Sequence, residues 1–214
     1  QGRHLEGPQP TTNRHRERGI DMNDIERLLH DLAQAPPADL LDDTTYAAGA
    51  TDHAVLADSP VGPVWVAWSA RGLTGVSPEF ETGTIDDFMT LHRRLVHEVS
   101  SLPRDLEDAV VVGLRDGDTI GLPIDFRGIP EFQESVLRTC ATIPPGVVRP
   151  YGWIADEIDN PGSVRAVGTA LGRNPIPLLV PCHRVVKSDG SVGNYAYGPE
   201  IKQQLLVHEG AILA

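Results

Sequence analysis

The chain has 214 residues, enough for one or two domains with a sizeable core, and a composition of 40% hydrophobic and 22% charged residues excludes wholesale disorder. No apolar run nears the ~18 residues of a membrane span, and with only two cysteines, Cys140 and Cys182, a disulfide scaffold is excluded and a cytoplasmic, reducing compartment is expected. The net charge of −12 disfavours a polyanion partner, but seven Lys/Arg balance seven Asp/Glu from Phe132 onward, so the acid excess lies in residues 1–131 and only strong non-specific binding to nucleic acid is ruled out.

Residues 1–21 have no hydrophobic period and are rich in Pro, Arg and Gly. They are expected to form an arm without fixed structure, native or added, with Met22 as a start; a basic DNA-binding arm is the alternative. Ile25, Leu28, Leu29 and Leu32 predict a short helix from Asn23, ended by Pro36–Pro37, with a loop to about Thr51. His53–Asp58 and Val64–Ser69 read as strands joined at Ser59-Pro60-Val61-Gly62-Pro63, and Leu73–Ser77 as a third strand beside them. Phe88, Leu91, Leu95, Val99 and Leu102 step by three or four and predict a helix from about Ile85. Ala109–Leu114 and Thr119–Ile124 flank Arg115-Asp116-Gly117-Asp118, a hairpin pattern. Residues 22–124 thus form an α+β domain. It clusters no metal-binding side chains, which leaves His53, His92 and His97 as packing or surface residues.

Residues 125–131 read as a linker, and 132–214 as a second, helical domain. Helices are expected over Pro130–Thr142, Tyr151–Ile158 and Val164–Leu171, the last two separated by Asn160-Pro161-Gly162-Ser163. Two short helices across such a break fit a helix-turn-helix or a plain helical hairpin. Ser163, Ala166, Val167 and Ala170 share one helical face, and their small side chains would let it approach a sugar–phosphate surface with Arg165 beside it.

The segment Asn174-Pro175-Ile176-Pro177-Leu178-Leu179-Val180-Pro181-Cys182-His183-Arg184-Val185 is too rich in proline for a helix and presents a cysteine followed by histidine. A thiol of pKa near ~8.5 is mostly protonated at neutral pH, so a nucleophilic Cys182 needs a base, which His183 could supply. A buried inert cysteine is the plain alternative. A zinc site is the third, with Cys140 as the only other thiol.

Six separated motifs over Phe132–Gly210 then fall in order. They run from Phe132-Gln133 and Ile143-Pro144-Pro145-Gly146 through Tyr151-Gly152, Arg165-Ala166-Val167-Gly168 and Asn174-Pro175-Ile176-Pro177 to Pro181-Cys182-His183-Arg184-Val185. Gly193-Asn194-Tyr195, Lys202 and Leu205-Leu206-Val207-His208-Glu209-Gly210 follow. This stretch closely resembles the O6-alkylguanine-DNA alkyltransferases, and Asp58-Ser59-Pro60-Val61-Gly62 more weakly resembles the opening of that family's amino-terminal domain. The resemblance implies a ribonuclease-H-like α/β amino-terminal domain and a helix-turn-helix carboxy-terminal domain. It implies a monomer without cofactor or metal that enters the minor groove of double-stranded DNA, flips an O6-alkylated guanine and takes its alkyl group once, irreversibly.

By the same resemblance, Cys182 is the alkyl acceptor, His183 takes its proton through a water, Glu209 orients the imidazole and Asn174 pins the active-site turn. Arg165 would fill the gap left by the flipped base, with Ala166 and Gly168 on the same helix against the groove. Tyr151 would help turn the phosphate, and the Val192, Gly193, Asn194 and Tyr195 loop would cover the guanine edge. Arg184 is read as structural. Four positions depart from the family pattern: Ala196 and Tyr197 replace a small or hydroxyl residue and a glycine, Pro150 replaces a common Ser, and Leu137 replaces a frequent Trp. Tyr197 is expected to crowd the pocket rim against large alkyl groups, and the set of changes to weaken DNA binding. A recogniser that flags damage without repair, or a scaffold for another alkylated substrate, are the competing functions; retention of Cys182, His183 and Glu209 argues against the first.

Overall fold

The computed structural model describes residues 38–213; the arm over 1–21 and the helix expected from Asn23 lie outside the described residues. The chain enters through α1 (Ala38–Ala47), where a loop was expected. A Pro pair is as compatible with a helix start as with a helix end, so Pro36–Pro37 did not decide between them. Three strands follow as an antiparallel meander, β1 (Thr51–Ala57), β2 (Val64–Ser69) and β3 (Gly72–Pro78). The three strands expected over this stretch are present, each within two residues of the expected ends.

Beyond β3 come a single helical turn, α2 (Glu79–Thr82), and α3 (Ile85–His92), capped by Thr84. The helix expected to continue through Val99 and Leu102 stops at His92, because Arg93 turns left-handed at φ 59°. Leu95–Glu98 is instead β4, which lies parallel to β1 and completes the order β3-β2-β1-β4. Leu91 and Leu95 are both exposed, so their helical spacing carried no buried face.

The sheet is covered on both sides, and the period of two along β2 sorts the side chains. Val64, Val66 and Trp68 enter the main core, while Trp65 and Ala67 join Ala54 and Phe88 of α3 in a smaller one. The main core is continuous with Val136, Leu137, Ile154, Val167 and Leu205 of the carboxy-terminal helices.

The expected hairpin around Gly117 is absent. Arg104–Asp116 is one helix, α4, burying Leu106, Val110, Gly113 and Leu114 at helical spacing. The run Val110-Val111-Val112 favours a strand locally, but burial on one face of the helix outweighs that preference. Gly117 is its left-handed cap at φ 76°, and Thr119–Ile124 is a connection rather than a strand.

After the loop 125–130, α5 (Glu131–Cys140), α6 (Tyr151–Glu157) and α7 (Val164–Leu171) pack together, and a final helix, α8 (Pro199–His208), closes the chain. The two-residue strands β5 (Arg149–Pro150) and β6 (Val185–Val186) pair in parallel beside the site. The free edge of β3 is occupied at both ends: Leu73 bonds to Pro123 and Asp125, and the Val76 N–H donates to the Pro175 carbonyl at 2.9 Å. An exposed edge is thereby avoided. No helix among the described residues is long and apolar enough to cross a membrane.

Candidate active site

Three prolines keep the 174–182 loop out of helical conformation, and the Asn174 side chain folds it. Its Oδ1 accepts from the Ile176 N–H at 3.0 Å, while Nδ2 donates to the Val180 carbonyl at 2.8 Å and to Cys182 Sγ at 3.2 Å. Leu178 is held at φ 71°, a conformation rare outside glycine, with its side chain buried in the core. Cys182–Arg184 then forms one 3-10 turn, which sends consecutive side chains about 120° apart. Thiol, imidazole and guanidinium leave the same turn in three directions, all of them buried.

The imidazole and guanidinium converge again on Glu209, at the end of α8. His183 Nε2 lies 2.9 Å from Glu209 Oε1, and Arg184 donates from Nη2 to Oε1 at 2.8 Å and from Nε to Oε2 at 2.9 Å. Arg184, fully buried, also donates to the carbonyls of Ile143 and Gly117. Gly117 cannot carry a side chain here: a Cβ would stand 2.6 Å from Glu209 Oε1, and its φ is positive. Leu205 and Leu206 seat α8 in the core, at ~1.5–3 kcal/mol for each fully buried leucine. That is more than a ten-residue helix can supply from its own propensity, so core burial is what places Glu209.

Burial opposes charge on Glu209, yet the bonds from His183 and Arg184 outweigh it and hold the carboxyl at about 2. An ionised carboxylate only accepts, so the His183 proton sits on Nε2 and Nδ1 presents its lone pair. That Nδ1 is buried without a hydrogen-bond partner. Burial lowers the imidazole pKa against the opposing pull of Glu209, which leaves it neutral and basic at pH 7. Burial also pushes the Cys182 thiol up, against the Asn174 bond and the positive charge of Lys202. The resting thiol is therefore protonated, and a neighbouring base has a proton to take.

Cys182 lies on the wall of a cavity of about 530 Å3, together with Tyr151, Arg165, Gly168, Asn194, Tyr195 and Ala196. Asn174, His183 and Glu209 are not on that wall, and Asn174 lines a neighbouring cavity instead. Gly193 is adjacent, with an added Cβ 3.6 Å from the Tyr151 hydroxyl, and Val192 and Ala166 are not part of the wall. The small-residue stripe divides: Val167 and Ala170 are core, and the face of α7 toward the cavity is Val164, Arg165, Gly168 and Thr169. Tyr197 is not on this wall but packs against its Tyr195. It lines a second cavity of about 630 Å3 with Ser77, Phe88 and Arg173, sharing only Gly172 and Ala196 with the first. Tyr197 is thus absent from the wall of the thiol cavity, which it meets through Tyr195, so the wall itself gives no support to the expected clash with a bulky alkyl group.

Sequence reasoning gave no role to Lys202, whose fully buried ammonium donates to the Val185 carbonyl at 2.6 Å and the Asn194 carbonyl at 3.4 Å. With no carboxylate among these partners, burial lowers its pKa to about 8. Its place four residues after Gly198, on a helix otherwise buried through leucines, was the available signal. Among the described residues no group of three or more His, Cys, Asp or Glu could hold a metal ion.

Residues 131–211 match the family model for the DNA-binding domain of 6-O-methylguanine DNA methyltransferase. The methylated-DNA–protein-cysteine methyltransferase of Shigella flexneri is 37% identical over 163 residues, covering 72% of this chain and 94% of that one. Its counterpart from Methanosarcina acetivorans is 39% identical over 158 residues, covering 72% and 96%. The crystal structure of Mycobacterium tuberculosis OGT in complex with DNA superposes with a TM-score of 0.62 at 33% identity, covering 74% of this chain and 93% of that one. The α+β fold and the sequence similarity thus extend along nearly the full length of these proteins. The chain belongs to the methylated-DNA–protein-cysteine methyltransferase family.

Proposed function

We propose that this protein repairs DNA by moving an alkyl group, methyl foremost, from O6 of guanine to Cys182. The thiol proton passes to His183 Nδ1 through a bridging water. The sulfur then attacks the alkyl carbon, the S–C bond forms as the C–O6 bond breaks, and the guanine leaves with the electron pair. The thioether has no route to hydrolysis, so each molecule acts once. The observation that carries this is the pairing of a protonated thiol on a cavity wall with a neutral imidazole whose free nitrogen is unpartnered and whose other nitrogen is fixed by Glu209.

The remaining assignments are part of the same proposal. Tyr151, Arg165, Gly168 and the 192–196 loop hold the flipped nucleotide, with Arg165 in the vacated stack and Ala166 against the groove. Helices α6 and α7 act as a helix-turn-helix in the minor groove of double-stranded DNA. Support comes from the exposure of Val164, Arg165, Ala166 and Thr169 on one side of α7 while Val167 and Ala170 anchor the other. The strand order β3-β2-β1-β4, with β4 parallel to β1, supports a ribonuclease-H-like amino-terminal domain over 22–124, joined at 125–131 to the transfer domain over 132–214. We place the protein in the cytoplasm as a monomer; two free cysteines, one of them a nucleophile, favour a reducing compartment.

The test is intact mass after incubation with O6-methylguanine duplex. One added methylene equivalent, mapped to Cys182, is expected. Binding of that duplex with no mass change would instead identify a damage recogniser.

A further inference from the structure

By the resemblance noted above Tyr197 takes the place of a glycine, and its ring is absent from the wall of the thiol cavity. It packs edge-on against Phe80, with ring centroids 6.1 Å apart at 83°, and against Tyr195, 5.5 Å apart at 85°. Tyr195 in turn stands edge-on to the His183 imidazole, at 6.4 Å and 82°. Four rings thus run from α2, which directly continues β3, to the proposed base. The Tyr195 hydroxyl is buried with no hydrogen-bond partner, so ring packing rather than a hydrogen bond fixes its orientation. A glycine at 197 would leave one face of that ring without support. β3 is itself tied to the active-site turn by the Val76–Pro175 bond, so Phe80 rests on a strand already fixed relative to the thiol loop.

We propose that Tyr197 is a positioning residue: it braces the loop 192–198 against Phe80 and, through Tyr195, holds the His183 imidazole in its working orientation. The brace couples the amino-terminal sheet to the rate of transfer without touching DNA or the alkyl group. It rests on alkyl transfer to Cys182 as proposed above.

The experiment compares wild type with Tyr197→Gly, Tyr197→Phe and Phe80→Ala on saturating O6-methylguanine duplex, with DNA affinity and the NMR shifts of the His183 ring nitrogens measured in parallel. In Tyr197→Gly the rate constant at saturation should fall roughly two- to tenfold, the factor an edge-to-face aromatic contact is worth. Phe80→Ala should move the rate and the His183 shifts in the same direction, Tyr197→Phe should restore both, and affinity should stay unchanged. His183 shifts identical to wild type in Tyr197→Gly and Phe80→Ala, or a loss confined to DNA affinity, would overturn the brace. Should Tyr197→Gly fail to fold, Phe80→Ala carries the same test, because that ring is 56% exposed and contributes little to the core. Failure of wild type itself to take up methyl would sink the transfer reading instead, and the His183 shifts would still report on the brace.

Discussion

Asp52 and Glu209 are buried carboxylates with the same two kinds of partner, one in each half of the molecule. Asp52, on β1, pairs with His92 Nε2 at 2.9 Å and accepts from Arg94 Nε and Nη2 at 2.6 Å each and from Thr74 Oγ1 at 2.8 Å. Glu209 has His183 Nε2 at 2.9 Å and Arg184 Nη2 and Nε at 2.8 and 2.9 Å. In both, burial works against the charge and the bonds to imidazole and guanidinium outweigh it, so both carboxyls lie below the ordinary range. The difference is on the far side of the imidazole. His92 lies flat on Phe88, 5.3 Å away at 11°, and its Nδ1 is pressed so close to Gly75 that a Cβ there would be 2.6 Å from it. The hydroxyl beside it, on Thr74, already donates to Asp52. His183 keeps Nδ1 unpartnered, one residue from a thiol on a cavity wall. One carboxylate–histidine–arginine cluster locks the end of α3 to the sheet; the other prepares a proton acceptor. What the second ring nitrogen faces decides which.

The sharpest break between the two clusters comes from removing the nucleophile. Cys182→Ala should abolish transfer, with no label on the buried Cys140, while duplex affinity stays near wild type. Mass mapping after reaction decides it; methyl on Cys140 would undo the assignment. Glu209→Gln should lower the transfer rate by roughly 100-fold or more, the usual contribution of a positioned general base. Glu209 is also the group that raises the His183 pKa, so the inflection in the pH–rate profile should move to lower pH. Asp52→Asn makes the same change in the other cluster and should leave the saturated rate and its pH profile unchanged. Its cost should be in stability, about 1.5–3 kcal/mol for the charge-assisted bonds lost to a part-exposed Arg94, read by denaturant unfolding.

The smallest effect is shared by both clusters. Each carboxyl has a folded-state pKa below its unfolded one, so each contributes stability that is full above the unfolded value and lost as pH falls through the folded one. For Glu209 that window runs from about 4.5 down to about 2. Unfolding midpoints measured across this range should fall with pH, and Glu209→Gln should flatten the decline.

Chain-local signals made one cluster visible and hid the other. Cys182, His183 and Arg184 are consecutive, and Glu209 falls in a motif of fixed register, so the family pattern exposed that site, while Arg184 as its structural anchor needed only its position beside His183. Asp52 meets His92 and Arg94 only because β4 returns parallel to β1 after a left-handed turn at Arg93, and no local pattern encodes that return. The strands were legible because turn residues bracket them. α4 was not, because Val110–Val112 is locally strand-like and its helical period shows only when Leu106 is counted with Val110, Gly113 and Leu114. The Tyr197 ring was placed at the thiol rim by motif position alone; its contact with Phe80 joins residues 117 positions apart in sequence.

The bond from the Val76 N–H to the Pro175 carbonyl joins the sheet edge to the active-site turn through main-chain atoms only. No side-chain exchange at either position can delete it, apart from a proline at 76, which has no N–H to give. The coupling is therefore robust to drift: the side chains at either position can change while the turn keeps its support. Replacing that one amide by an ester through chemical synthesis, with every side chain intact, would expose the dependence that ordinary mutagenesis passes over.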